Sequence, residues 1–131
     1  MADEFDLLRI DVPEDAVLPD TIVKFLAGEL VRLGRLPQEH ADPVVCAVLR
    51  REAIGSTGVG RGLAFPHAAS DLIDVALGIV GRLPEPVAWQ GAIDNQPVHT
   101  VCLLITPKSD TYATFKAMEA VARRLRQEFG L

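Results

Sequence analysis

Val98-His99-Thr100-Val101-Cys102-Leu103-Leu104-Ile105 is an apolar, β-branched run, and no other segment of the chain reads as clearly as a strand. Asp94-Asn95-Gln96-Pro97 has the composition of a turn before it, and Pro107 to Asp110 end it. From Thr111 onward, Phe115, Met118, Ala122, Leu125 and Phe129 recur at three- and four-residue steps, which predicts a long helix burying that stripe. Upstream, Val75 to Val80 reads as a second strand, buried on both faces because it does not alternate. Pro84 and Pro86 predict a break, with a short extended piece around Val87 to Trp89, and Leu63-Ala64-Phe65 forms a third, shorter strand.

The N-terminal half is helical in pattern. Asp20 is the expected N-cap of a helix whose apolar face is Ile22, Phe25, Leu26, Leu30 and Leu33, with Gly34 ending it. A shorter helix is expected from Pro43 to about Arg51, capped by Asp42 and burying Val44, Val45, Val48 and Leu49. Pro13 and Pro19 punctuate a segment expected to lie extended across the surface. Helices at both ends with strands between them predict an α/β fold (an α+β sandwich), a small mixed β-sheet flanked by helices. One domain over residues 1–131 accommodates it.

Hydrophobic residues make up 49% and charged residues 24%, enough apolar surface to offset the entropy of folding. Thirteen Lys and Arg against eighteen Asp and Glu leave a charge of −5, which argues against binding nucleic acid or an anionic membrane non-specifically. The start, Met1-Ala2-Asp3-Glu4-Phe5-Asp6, lacks the basic and apolar character of a signal peptide, and no apolar run is long enough to span a bilayer. Cys46 and Cys102 read as two buried, reduced thiols, so a cytoplasmic protein is expected.

Chemistry concentrates in Arg51 to Ala68, REAIGSTGVGRGLAFPHA. Gly55, Gly58, Gly60 and Gly62 permit backbone conformations in which N–H groups converge on an anion, and they equally suit tight packing alone. Ser56 and Thr57 add hydroxyls that either donate to a phosphate or brace the loop. His67 follows behind Pro66, whose φ is locked. An anion cradle beside a held imidazole is what phosphoryl transfer through nitrogen requires, whereas a lone histidine is commonly a satisfied structural residue. A nucleotide P-loop is excluded: after Gly60 it needs Lys and then Ser or Thr, and Arg61 and Gly62 stand there.

These residues resemble the active-site signature of enzyme IIA domains of the sugar phosphotransferase system, fructose/mannitol type (type 2), including the nitrogen-regulatory branch. Arg51-Glu52, Ser56-Thr57-Gly58, Gly60, Gly62, Ala64 and Pro66-His67-Ala68 match in order and spacing. Trp89, Ala92 to Val98 and the strand ending Thr106-Pro107 are similar as well, and the likeness runs from about Leu18 onward. The resemblance implies that His67 accepts a phosphoryl group from an HPr-like phosphocarrier protein. His67 would then pass it to a IIB domain or hold it as a signal to a regulatory target. It implies that Arg51 lies near the phosphoryl group and holds Glu52 and the loop in place; a cation facing the carbonyls at a helix C-terminus is the structural alternative.

The chain also departs from that family. A second histidine usually stands early in the last helix, and alignment places Thr114 there, with Tyr112 available to fill part of the space. Phe65 replaces an aliphatic residue before Pro66, and the segment that usually follows the last helix is shortened or absent. His40 is expected in a solvated loop. His99, at the start of the last strand, is a candidate substitute for the missing histidine if the two strands adjoin. No histidine pair has metal-site spacing, so neither a metal nor another cofactor is called for. The competing reading is an interaction module that binds a transporter or regulator through the same face without transferring phosphate.

Overall fold

The computed structural model describes residues 7–129, apart from the side chain of Phe129. Strand β6 (Val98–Pro107) runs through the middle of the sheet because it can be buried on both faces. Val101, Leu103 and Ile105 enter one core with helices α1 (Pro19–Arg32) and α2 (Gln38–Ile54). Cys102 and Leu104 enter the other core, beneath Ala117, Val121 and Leu125 of helix α3 (Thr111–Phe129). One edge of β6 pairs antiparallel with β5 (Leu77–Val87), whose far edge carries β1 (Leu7–Asp11) in parallel. Along the opposite edge of β6 lie β3 (Leu63–Ala64) and β4 (His67–Ser70), both parallel to it, and β2 (Gly58–Gly60) pairs antiparallel with β3. The expected mixed sheet flanked by helices is therefore the observed architecture.

Strands β3 and β4 keep one register. Leu63 faces Thr100 and Ala64 faces Val101; after Phe65 and Pro66, His67 faces Leu104 and Ser70 faces Pro107. They are two halves of a single parallel strand, interrupted where Pro66 has no N–H to contribute.

Several elements differ from the sequence reading. The N-terminal segment is extended, and its first described part is a strand of the sheet rather than a surface strap. Helix α1 begins at Pro19 with Leu18 as its N-cap and no side-chain capping bond, and Asp20 occupies the first turn. There its charge still complements the helix dipole. Gly34, at φ +76°, ends that helix by donating to the Val31 carbonyl. Helix α2 starts at Gln38 and takes in both Pro43 and His40, so His40 is a first-turn helical residue. Its Nδ1 is enclosed without a hydrogen-bond partner. Pro43 forgoes only a bond to a carbonyl of the first turn, and its ring is exposed.

β5 continues through Pro84 and Pro86, with a register shift against β6 between Arg82 and Val87. Its pairing with β1 ends at Arg82, so the prolines lie where no neighbour on that edge needs their missing N–H. In α3 the buried stripe is Ala117, Val121 and Leu125, about one position round from the expected one, and Phe115 is 63% exposed. The Phe129 side chain lies outside the described residues. The Asp110 carboxylate accepts from the Ala113 N–H at 2.9 Å and fixes where this helix starts, hence which face meets the sheet.

Cys102 is buried as expected, but Cys46 is exposed on α2. Desolvation pushes the Cys102 thiol up to about 12, so it stays protonated near neutrality. Titration of the native protein with a thiol-reactive disulfide at pH 8 will modify Cys46 quickly and Cys102 only on the timescale of unfolding. Two thiols reacting at equal rates before denaturant is added would contradict this packing.

Candidate active site

The backbone between β3 and β4 sets the tautomer of His67. Phe65 turns its backbone groups to the edge away from β6 and donates its N–H to the Thr57 carbonyl at 2.9 Å. Its own carbonyl lies 2.9 Å from Nδ1 of His67. A carbonyl only accepts, so Nδ1 carries the proton and Nε2 keeps its lone pair. The Phe65 ring stacks on the imidazole, with centroids 5.1 Å apart and planes inclined by 29°. His67 shares its register with Leu104 and so faces the α3 side of the sheet, while Ala68 packs into the opposite core. The imidazole residue is half-buried.

The glycine segment does not form an open ring of donors. The Thr57 N–H donates to Glu52 Oε2 at 2.9 Å, the Gly58 N–H to Ser56 Oγ at 3.0 Å, and the Arg61 N–H to Asp94 Oδ2 at 3.0 Å. Those amides, with that of Phe65, are spent on holding the loop, and this corrects the expectation of an anion cradle. The glycines serve close packing and turning instead. A Cβ on Gly58 would lie 2.7 Å from the Ala92 Cβ, and Gly60, Arg61 and Gly62 take successive left-handed conformations at the β2–β3 turn. Hydrogen bonds from the N–H groups of Arg61 and Gln96 hold the Asp94 carboxyl below the usual carboxylate range.

Glu52 is the hub of this brace. It accepts from the Thr57 N–H, from the Thr57 hydroxyl, and from Trp89 Nε1 at 3.0 Å. The Thr57 hydroxyl takes the bracing role, and Ser56 Oγ braces the loop as the acceptor of the Gly58 N–H. The Arg51 guanidinium donates to the Gly55 carbonyl at 2.7 Å, at the C-terminal end of α2. This is the structural alternative, a cation facing a carbonyl at a helix C-terminus, and Glu52 is held by Thr57 and Trp89 rather than by Arg51. Among the described residues, no hydrogen bond joins Arg51, Ser56, Thr57 or Gly58 to the His67 ring. Trp89 as the third anchor of Glu52 was visible in the sequence only as a matching position, because nothing in its spacing specifies a partner 37 residues away.

The structure separates the two candidates for a second histidine. Thr114 stands in the first turns of α3, at the His67 end of β6, and its hydroxyl donates back to the carbonyls of Pro107 and Asp110, each at 3.1 Å. His99 lies five positions along β6 from Leu104, the register partner of His67, about 16 Å at the usual strand rise. Its Nδ1 meets the Thr100 hydroxyl at 2.8 Å, and a Cβ on Gly62 would overlap its ring. His99 is therefore not brought to His67. Tyr112, expected to fill space beside Thr114, is 72% exposed, and with Phe115 it leaves the outer face of the first turns of α3 apolar. Among the described residues, no group of three or more His, Cys, Asp or Glu is placed to hold a metal ion, and no helix is long and apolar enough to cross a membrane.

The site is thus a half-buried imidazole, bonded through Nδ1 to the backbone, on a mixed sheet between two helical layers. Residues 8–129 match the family described as phosphoenolpyruvate-dependent sugar phosphotransferase system, EIIA 2, and the chain belongs to that family. It is similar to a nitrogen regulatory protein of Bradyrhizobium diazoefficiens, with 31% identity over 121 residues, 89% of this chain and 78% of that protein. A nitrogen regulatory protein of Klebsiella oxytoca is 40% identical over 80 residues, 60% of this chain, and these cover 49% of its length. The chain thus matches about half of that relative. The crystal structure of the nitrogen regulatory protein IIA-Ntr from Neisseria meningitidis superposes with a TM-score of 0.70 at 28% identity, covering 95% of this chain and 77% of that one.

Replacing Glu52 with Ala strands the Thr57 and Trp89 donors in a partly buried site. Thermal or denaturant unfolding of Glu52→Ala will show a loss of about 1–3 kcal/mol, and Glu52→Gln, which keeps one acceptor, a smaller one. Equal stability for Glu52→Ala and the parent would remove Glu52 from its bracing role.

Proposed function

We propose that this chain is a phosphocarrier of the phosphoenolpyruvate-dependent phosphotransferase system, a single IIA-type domain acting in the cytoplasm. Nε2 of His67 accepts the phosphoryl group of an HPr-like carrier protein and passes it to a IIB domain or retains it as a regulatory mark. The observation that carries this reading is the Nδ1 hydrogen bond to the Phe65 carbonyl, because it leaves Nε2 as the nucleophile. In the transfer, the N–P bond of the donor phosphohistidine breaks as the Nε2–P bond forms. The donor imidazole leaves with the electron pair of its broken bond, and the proton on Nδ1 of His67 stays where it is. Phosphoryl transfer of this kind is mainly a matter of positioning, which the fixed tautomer and ring plane supply.

Fixing the imidazole is one requirement; balancing charge on the phosphoryl oxygens is another. The amides of Thr57, Gly58 and Arg61 already donate to Glu52, Ser56 and Asp94, so that part of this charge is left to other groups, including those of the partner protein. Similarity to nitrogen regulatory proteins favours the regulatory branch over sugar delivery. The hydroxyl of Thr114, turned inward where an imidazole is usual, favours a second reading: a module that binds its partner through this face without turnover.

Incubation with phosphoenolpyruvate, enzyme I and an HPr-type carrier separates the two. The phosphocarrier reading predicts one acid-labile, alkali-stable phosphoryl group per chain by intact mass, absent from His67→Ala. No incorporation with the cognate donor would favour the interaction module.

A further inference from the structure

We infer that Phe65 is a positioning residue that prolongs the life of the phosphorylated state through its stacked ring. The inference rests on the reading of His67 as phosphoryl acceptor and adds to it a determinant of how long the group is held.

Phosphorus on Nε2 together with a proton on Nδ1 gives the imidazole ring a positive charge, and the Phe65 carbonyl keeps that proton in place. A cation within about 6 Å of an aromatic centroid is attracted by the negative face of the ring. The Phe65 and His67 rings meet that condition at 5.1 Å with a 29° tilt. Phe65 is itself held from three directions: its N–H bonds to Thr57, its ring packs against the core under α3, and Pro66 follows it. The stack is thus present before phosphorylation and gains attraction once the ring becomes cationic.

Loss of the group to water reverses that gain. Water attacks phosphorus, the Nε2–P bond breaks and its electron pair returns to Nε2. Phosphate leaves as the dihydrogen anion with both protons of the water, and His67 is left neutral with Nδ1 still protonated. Positive charge on the ring falls as the bond breaks, so the stack stabilises the phosphorylated ground state more than the transition state and slows the loss. An aliphatic residue at this position supplies packing and the same carbonyl but no π face.

Phosphoramidate, a small phosphoryl donor that needs no partner protein, tests this independently of any carrier. After its use, phosphorus NMR reads the phosphorylated nitrogen and the rate of loss in the parent, Phe65→Leu and Phe65→Trp. The parent is expected to carry phosphate on Nε2 of His67, Phe65→Leu to lose it about two- to fivefold faster, and Phe65→Trp to restore or exceed the parental lifetime. Ring-fluorinated phenylalanines at position 65 keep the shape of the ring while draining its π charge, and lifetime should fall stepwise with fluorination even if Phe65→Leu folds poorly. Equal lifetimes across the fluorinated series would overturn the inference while leaving His67 as acceptor. Phosphate on Nδ1, or none on His67, would overturn the inference through its premise. Failure with the protein donor alone would count only against the carrier reading.

Discussion

The hydrogen bond between His67 Nδ1 and the Phe65 carbonyl ties the topology of the sheet to the chemistry of one side chain. Phe65 turns its backbone groups to the edge away from β6, since Gly62 and Pro66 on either side of it are the residues whose carbonyls accept from β6. Its carbonyl, outside that ladder, meets the imidazole two residues on. A single backbone acceptor then decides which nitrogen is free. Everything proposed about phosphoryl transfer follows from that choice of tautomer.

Around this bond, the glycine segment acts as scaffold rather than receptor. Glu52 gathers donors from Thr57 and Trp89, Asp94 fixes the left-handed turn at Arg61, and Thr57 in turn anchors Phe65. A chain of bonds therefore runs from the end of α2 to the residue that orients His67. On the proposed function, the rigidity it confers is what the loop would contribute to transfer, since an imidazole already held in place loses little freedom on meeting a donor.

Much of this was legible from residue order. The β6 run, apolar and β-branched, read as a strand, and the two cores on either side of it show it buried on both faces. The mixed sheet flanked by helices followed from helical patterns around a strand-rich middle, but β1, β2 and β4 did not stand out as strands. The segment from Arg51 to Ala68 supplied the candidate site. What escaped the reading was direction. Four glycines say that a backbone can bend, not where its N–H groups point, and here they point at Glu52, Ser56 and Asp94. The stripe of α3 was misplaced by about one position because its phase is set by the Asp110 cap, a local bond invisible to periodicity. The prolines of β5 suggested a break because nothing in the sequence says that β1 stops at Arg82. The strands adjoin, as the candidacy of His99 required, but the parallel register sets His99 five positions along β6 from the partner of His67.

The central claim is that the neutral His67 ring carries its proton on Nδ1 and offers Nε2. Long-range proton–nitrogen correlation NMR on the uniformly nitrogen-15-labelled protein, at a pH where the ring is neutral, reads this directly. The account predicts a protonated, pyrrole-type Nδ1 and an unprotonated, pyridine-type Nε2 for His67. A protonated Nε2, or fast averaging of the two nitrogens as in a free imidazole, would contradict it.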